Sequence, residues 1–149
     1  MKRATVAVGL LFVVAAPALA APHCTQQTTK GYWEFTCEGY LTPPPPAPAV
    51  LVPSGTLATC TASKTGFWVC EGTVNLGGTI LEQALHGQAI NNENCTGTIT
   101  YSQTIFGQPA PNLNVRYVIR DNGDTINGLP VDSGQVLSCV GHRISIDTP

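Results

Sequence analysis

With 149 residues, 43% of them hydrophobic, the chain is long enough for one domain with a real core. Only 11% of its residues are charged and the formal net charge is −2, and beyond position 20 the basic residues Lys30, Lys64, Arg116, Arg120 and Arg143 form no run. That excludes a phosphate-tracking nucleic-acid surface and a basic amphipathic membrane helix, both of which need clustered positive charge.

At the N-terminus, Met1-Lys2-Arg3 is a short positive region, Val6 to Ala16 is an apolar run interrupted by Gly9, and Ala18-Leu19-Ala20 ends the stretch with small residues. This pattern predicts a secretory signal peptide over 1–20 and one mature domain over 21–149. The apolar run is too short for a membrane span. A lipoprotein signal is not expected, because Ala21-Pro22-His23 puts no small residue directly before Cys24. Removing Lys2 and Arg3 leaves five basic residues against nine acidic ones, a mature charge of −4. The expected location is secreted or periplasmic.

All six cysteines, at 24, 37, 60, 70, 95 and 139, lie beyond the signal. An even count in an oxidising compartment predicts three disulfides. No metal site is expected: the chain has no C-x-x-C pair. An amino-terminal copper site on Ala21-Pro22-His23 fails because Pro22 has no amide hydrogen to lose.

Along the chain, "GYWEFTCEG" at 31–39 opens the first strand pattern, and "GFWVCEG" at 66–72 nearly repeats it. Between them "LTPPPPAPAVLVP" at 41–53 is too rich in proline for a central strand and reads as a long surface connection. Further on, "SKTG", "NLGGT", "NNEN", "GQPAPN", "DNGD" and "VDSGQ" punctuate runs rich in Thr, Val, Ile and aromatics. Eight strands are expected, near 31–39, 54–62, 67–75, 79–90, 95–104, 113–120, 124–130 and 135–144. Period-two alternation supports them: Leu113, Val115, Tyr117 and Ile119 share one face, while Asn114, Arg116 and Arg120 share the other. The predicted fold is all-β, an antiparallel up-and-down meander of about eight strands closing into a small, disulfide-stapled barrel. The local rival is "TILEQALHG", where Thr79 with Glu82 imitates a helix capping box and Gly87 a helix stop. The continuing meander favours strand there.

Taken in order, Cys24, "KGYWEFTCEGY", the proline-rich loop, "SGTL", "GGTI", "GQAINNENCTGTITY", "VRYVIRDNGDTI" and "VDSGQVLSCVGHR" resemble a group of secreted bacterial β-proteins. These carry a G-x-Y strand, an N-x-x-C-T-G-T hairpin and a late D-x-G turn. In general architecture the chain is similar to calycins, the lipocalin-like barrels. The resemblance spans nearly the whole mature chain, and its motifs are turns and strand starts, which speak to fold and not to activity. It implies counterparts of Cys24 and Cys95; Cys37, Cys60, Cys70 and Cys139 are additions to it.

A three-residue loop Lys64-Thr65-Gly66, with Gly66 left-handed, would set Cys60 directly opposite Cys70. A two-residue Lys30-Gly31 loop would likewise oppose Cys24 and Cys37. If instead the barrel closes strand one on strand eight, Cys37 meets Cys139 and Cys24 is left for Cys95. The favoured set is therefore Cys24–Cys95, Cys37–Cys139 and Cys60–Cys70, with Cys24–Cys37, Cys60–Cys70 and Cys95–Cys139 as the alternative.

Motifs for bond-making are scarce. There is no H-E-x-x-H, no G-x-S-x-G and no phosphate loop, and three disulfides leave no thiol nucleophile. Asp121-Asn122-Gly123-Asp124 resembles the start of a calcium loop but reads more simply as a tight Asn-Gly hairpin. Asp124 and Asp132 lie in turn signals, His142 and Arg143 read as a surface or rim pair, and "NCT" at 94–96 matches a glycosylation acceptor that a turn ending in a cysteine explains equally. No catalysis, cofactor or metal is expected. Trp33, Trp68, Phe35, Phe67 and Tyr101 read first as core and lid residues, and they are the candidate ligand- or partner-binding residues where some line a pocket at the barrel mouth; a monomer is expected. Two functions follow: a carrier of one small apolar molecule inside the barrel, or a protein-interaction module, for example an exported inhibitor or envelope component, using the proline-rich loop; a third reading is a stable exported scaffold. An open cavity would distinguish the first, a filled barrel with an apolar surface patch the second.

Overall fold

The structure, a computed structural model, describes residues 23–42 and 50–146; the expected signal peptide and most of the proline-rich stretch lie outside the described residues. A short 3-10 turn, Gln26–Thr29, precedes eight strands: β1 Gly31–Leu41, β2 Val52–Ala62, β3 Phe67–Leu76, β4 Thr79–Asn91, β5 Thr96–Ile105, β6 Gln108–Arg120, β7 Thr125–Pro130 and β8 Gln135–Ser145. Each pairs antiparallel with the next, and β1 returns to β8, so the meander closes into a barrel. Closure removes the sheet edges, the exposed backbone that an open meander would have to shield.

Alternation within the strands builds the interior. In β4, Gln83, Leu85, Gly87 and Ala89 are buried while Glu82, Ala84, His86 and Gln88 are exposed. This is strand and not helix: a helix would place Ala84 and Leu85 on one face, and the barrel separates them. The Lys64-Thr65-Gly66 loop forms as read, with Gly66 at φ +82° and Cys60 opposite Cys70.

All three disulfides take the favoured pairing, Cys24–Cys95, Cys37–Cys139 and Cys60–Cys70. The Lys30-Gly31 hairpin does not form, because β1 spends both its edges on β2 and β8. The two copies of the Gly-aromatic-Trp pattern are thus two neighbours of β2, not two stapled units.

Two sequence expectations need correction. β6 starts at Gln108, five residues before the predicted 113, and includes Pro109 and Pro111. β7 is only six residues long and reaches no further than Val115 opposite Pro130, so the early part of β6 pairs with β5 alone. Prolines are tolerated on such an unpaired side. The connection after Arg120 is also not a two-residue hairpin: Asp121, Asn122 and Gly123 form a 3-10 turn with φ of 53°, 57° and 101°. Its purpose emerges at the closed end of the barrel.

Two glycines make room for rings. Gly97 faces Tyr117 in register, and Gly141 faces Phe35, and in each case a Cβ would collide with the ring. Each aromatic therefore lies across the neighbouring strand at the position where that strand has no side chain.

Candidate functional site

The barrel has two unlike ends. At the end where β1 begins, the 3-10 turn crosses the opening, held by groups from β1, β4 and β8. Gln26 extends the β4 edge: its side-chain amide donates to the Ala89 carbonyl at 2.8 Å and accepts from the Asn91 amide at 3.1 Å. Asn91 donates to the Thr25 carbonyl at 3.0 Å and the Thr29 hydroxyl at 3.1 Å, and accepts from the Tyr117 hydroxyl. The Trp33 indole donates to the Thr29 carbonyl at 2.9 Å. Cys24–Cys95 ties the segment to the start of β5.

Beneath the turn, Arg143 stacks on the Trp33 ring, its guanidinium carbon 4.9 Å from the ring centroid. It donates to the carbonyls of Thr28 and Gly123, which explains the left-handed turn at 121–123: that backbone turns a carbonyl inward. Its Nε is 3.5 Å from an Asp124 oxygen, an ion pair without the alignment of a hydrogen bond. Burial lowers the Arg143 pKa from its usual value and Asp124 opposes that shift. Arg143 is thus not the surface or rim residue expected, its side chain being only 10% exposed. The signal was present in the alternation, since Cys139, Gly141 and Arg143 share one face of β8 and Cys139 must point inward to reach Cys37.

Above this floor, a cavity of about 160 Å³ runs from Phe35 and Trp68 toward Leu41, Leu76, Ile105 and Pro130, at the end from which the β1–β2 connection leaves. The wall is mostly aliphatic and aromatic and includes the disulfides Cys37–Cys139 and Cys60–Cys70. No Asp, Glu, Lys, Arg or His lines it. Its polar groups are the hydroxyls of Ser54, Thr56, Tyr101 and Tyr117, the amides of Gln83, Gln103 and Gln135 and the indole N–H of Trp68. Gln83 donates to Gln103 at 2.9 Å, and Gln103 donates to the Pro111 carbonyl at 2.6 Å. Burial raises the phenol pKa of Tyr101 and of Tyr117, and the two hydroxyls reinforce this at Tyr101.

Of the five candidate residues, Phe35, Trp68 and Tyr101 line the cavity. Phe35 and Trp68 pack edge to face at 5.8 Å, and Trp68 lies 5.7 Å from Trp33. Trp33 is 0% exposed in the floor, beneath the 3-10 turn and beside Arg143, and does not line the cavity. Phe67 departs from the expectation of a core or lid residue: it is 43% exposed, because Trp68 next to it takes the inward position. The glutamines were missed, since single polar residues on strand faces carry no signal without a closed barrel to show which face is inside.

Asp121 and Asp124 gather no cation site: among the described residues no three His, Cys, Asp or Glu side chains form a metal-binding group. Nor, among them, is any helix long and apolar enough to cross a membrane. Compared with protein-family models, with curated proteins and with solved structures, the chain has no match.

Proposed function

We propose that the protein is an exported, non-enzymatic carrier that holds one small apolar molecule inside its barrel, in the manner of lipocalin-like proteins. The observation that supports this is the cavity itself, apolar and uncharged, closed at one end by a hydrogen-bonded floor and reaching the strand ends at the other. Its volume is close to that of the roughly 150 Å³ apolar protein cavity that binds benzene, so the cargo is of single-ring size or a short chain. Bond-making would need an activated nucleophile or a proton-transfer pair, and the hydroxyls of the wall have no carboxylate, imidazole, amine or thiol lining the cavity with them, its cysteines being oxidised. Three disulfides fit an oxidising compartment, here the periplasm or the exterior.

The test is to isolate the protein from its own host and analyse it by native mass spectrometry before and after denaturation. A bound small molecule released on unfolding, whose return quenches tryptophan fluorescence through Trp68, is the expected result. Protein isolated empty, with fluorescence indifferent to small apolar compounds and a partner protein copurifying, would overturn the carrier in favour of an interaction module.

A further inference from the structure

We infer that the ligand is an uncharged molecule carrying a hydrogen-bond acceptor, such as a carbonyl, that enters acceptor first and lies against Tyr101. The inference rests on the carrier function and specifies its ligand.

Three observations lead to it. The wall contains no ionisable side chain except the two tyrosines, and both are held neutral by burial. A charged ligand would give up its hydration and receive no counter-charge, which disfavours acids and amines alike. Secondly, Tyr101 is 9% exposed and lines the cavity, yet its hydroxyl makes no hydrogen bond among the described residues, whereas the Tyr117 hydroxyl is committed to Asn91. That oxygen is not among the fully buried unpartnered atoms, so it is open to the cavity and able to donate there. On the far side of Gly87, which faces both residues in register, the Trp68 indole N–H is buried without an acceptor. Two unused donors therefore flank one glycine at the deep end.

Thirdly, the unused groups nearer the mouth are acceptors. Gln83 spends its N–H on Gln103 and keeps a buried carbonyl oxygen without a donor, and the Gln135 carbonyl oxygen is in the same state. Donors at depth and acceptors toward the opening give the cavity a direction. A neutral ring bearing a carbonyl at one end and an N–H or O–H at the other matches both.

The test uses the full exported protein, with its disulfides intact, and five probes: ethylbenzene, acetophenone, 4-aminoacetophenone, benzoate and benzylammonium. Binding is followed by tryptophan fluorescence and calorimetry. Tyr101→Phe keeps the ring and removes the donor, so it should weaken acetophenone on the order of tenfold while leaving ethylbenzene unchanged. Comparing each probe across the two proteins cancels the difference in hydrophobicity between probes. Gln83→Leu, made as a second variant, should weaken 4-aminoacetophenone and spare acetophenone. Benzoate and benzylammonium should bind at least tenfold more weakly than acetophenone. If ethylbenzene binds but Tyr101→Phe leaves acetophenone unaffected, or if benzoate binds as tightly, the inference fails and the carrier function stands. If none of the five binds the unmodified protein, both fail together.

Discussion

The guanidinium of Arg143 does three jobs with one planar group: it covers the Trp33 ring and supplies donors to two carbonyls from opposite sides of the floor, Thr28 and Gly123. Arg143→Met keeps the length and apolar stem but leaves both carbonyls buried without donors. It should cost about 3 kcal/mol in denaturant unfolding. Arg143→Lys should recover only part of this, because an ammonium neither stacks on a ring nor spans two acceptors in one plane. Equal stability of Arg143→Met and the parent protein would disprove the role. The tyrosines bear on pH. An unfolded phenol ionises near its ordinary value of 10.0, and the buried phenols of Tyr101 and Tyr117 resist ionisation to higher pH. Their contribution to stability is therefore complete below about pH 10 and is lost as the pH climbs above it. Chemical denaturation at pH 9 and pH 11 should show that loss, and Tyr101→Phe should reduce it. At this scale the sequence was half legible. Trp33, Phe35, Trp68 and Tyr101 were identifiable as interior candidates while Phe67 proved exposed, and the Trp33 and Arg143 pairing joins residues far apart in sequence and exists only because β1 closes on β8.

Among the elements, the disulfides differ in what they enclose. Cys60–Cys70 spans a separation of 10 residues and links strands already joined by a tight loop, whereas Cys37–Cys139 spans 102 and fastens the seam between β1 and β8. Chain entropy then predicts that replacing Cys37 and Cys139 by alanine costs roughly 4 to 5 kcal/mol, against roughly 2 to 3 for Cys60 and Cys70. Thermal unfolding of the two double variants would measure the difference, and the opposite order would refute it. The turn between β5 and β6 offers a gain instead. Phe106 sits there at φ 51° and is exposed, so its ring buries little while its backbone adopts a left-handed conformation. Phe106→Asn should stabilise the protein by about 1 kcal/mol, seen as a higher denaturant midpoint. Strand existence was legible because turn residues recur at short intervals, and the Cys60–Cys70 register followed from one loop length. The start of β6 was not, since prolines at 109 and 111 argue against a strand unless the neighbouring strand is known to stop short.

For the molecule as a whole, the barrel was legible and its interior was not. Eight alternating runs and one long connection are enough to suggest closure, but whether closure leaves room depends on the sum of all inward side chains. Inward-facing Ser54, Thr56 and Ala58 on β2 and Gly128 on β7 are all small, and only the folded register shows what they face, Ala58 opposite Phe35 and Gly128 opposite Tyr117. No stretch of sequence announces that arrangement.

The brevity of β7 gives the barrel unequal compliance. Around the closed end the hydrogen-bonded hoop is continuous through all eight strands. Toward the mouth it is interrupted between residues 108–113 of β6 and 135–138 of β8, where the 131–134 turn replaces strand pairing. Among the described residues, the Asp132 carboxylate, which accepts from the Asn114 backbone and side-chain amides at 2.7 Å each, and the Val131 amide, which donates to the Asn114 carbonyl, fasten that turn to β6. Amide exchange should therefore be graded along the barrel axis, fastest in those two segments and slowest beside the floor; uniform protection along β6 would contradict it. Widening the mouth at this gap breaks no strand pairing, so under the proposed carrier function a ligand would come and go on a shorter timescale than that on which the disulfide-bound fold opens.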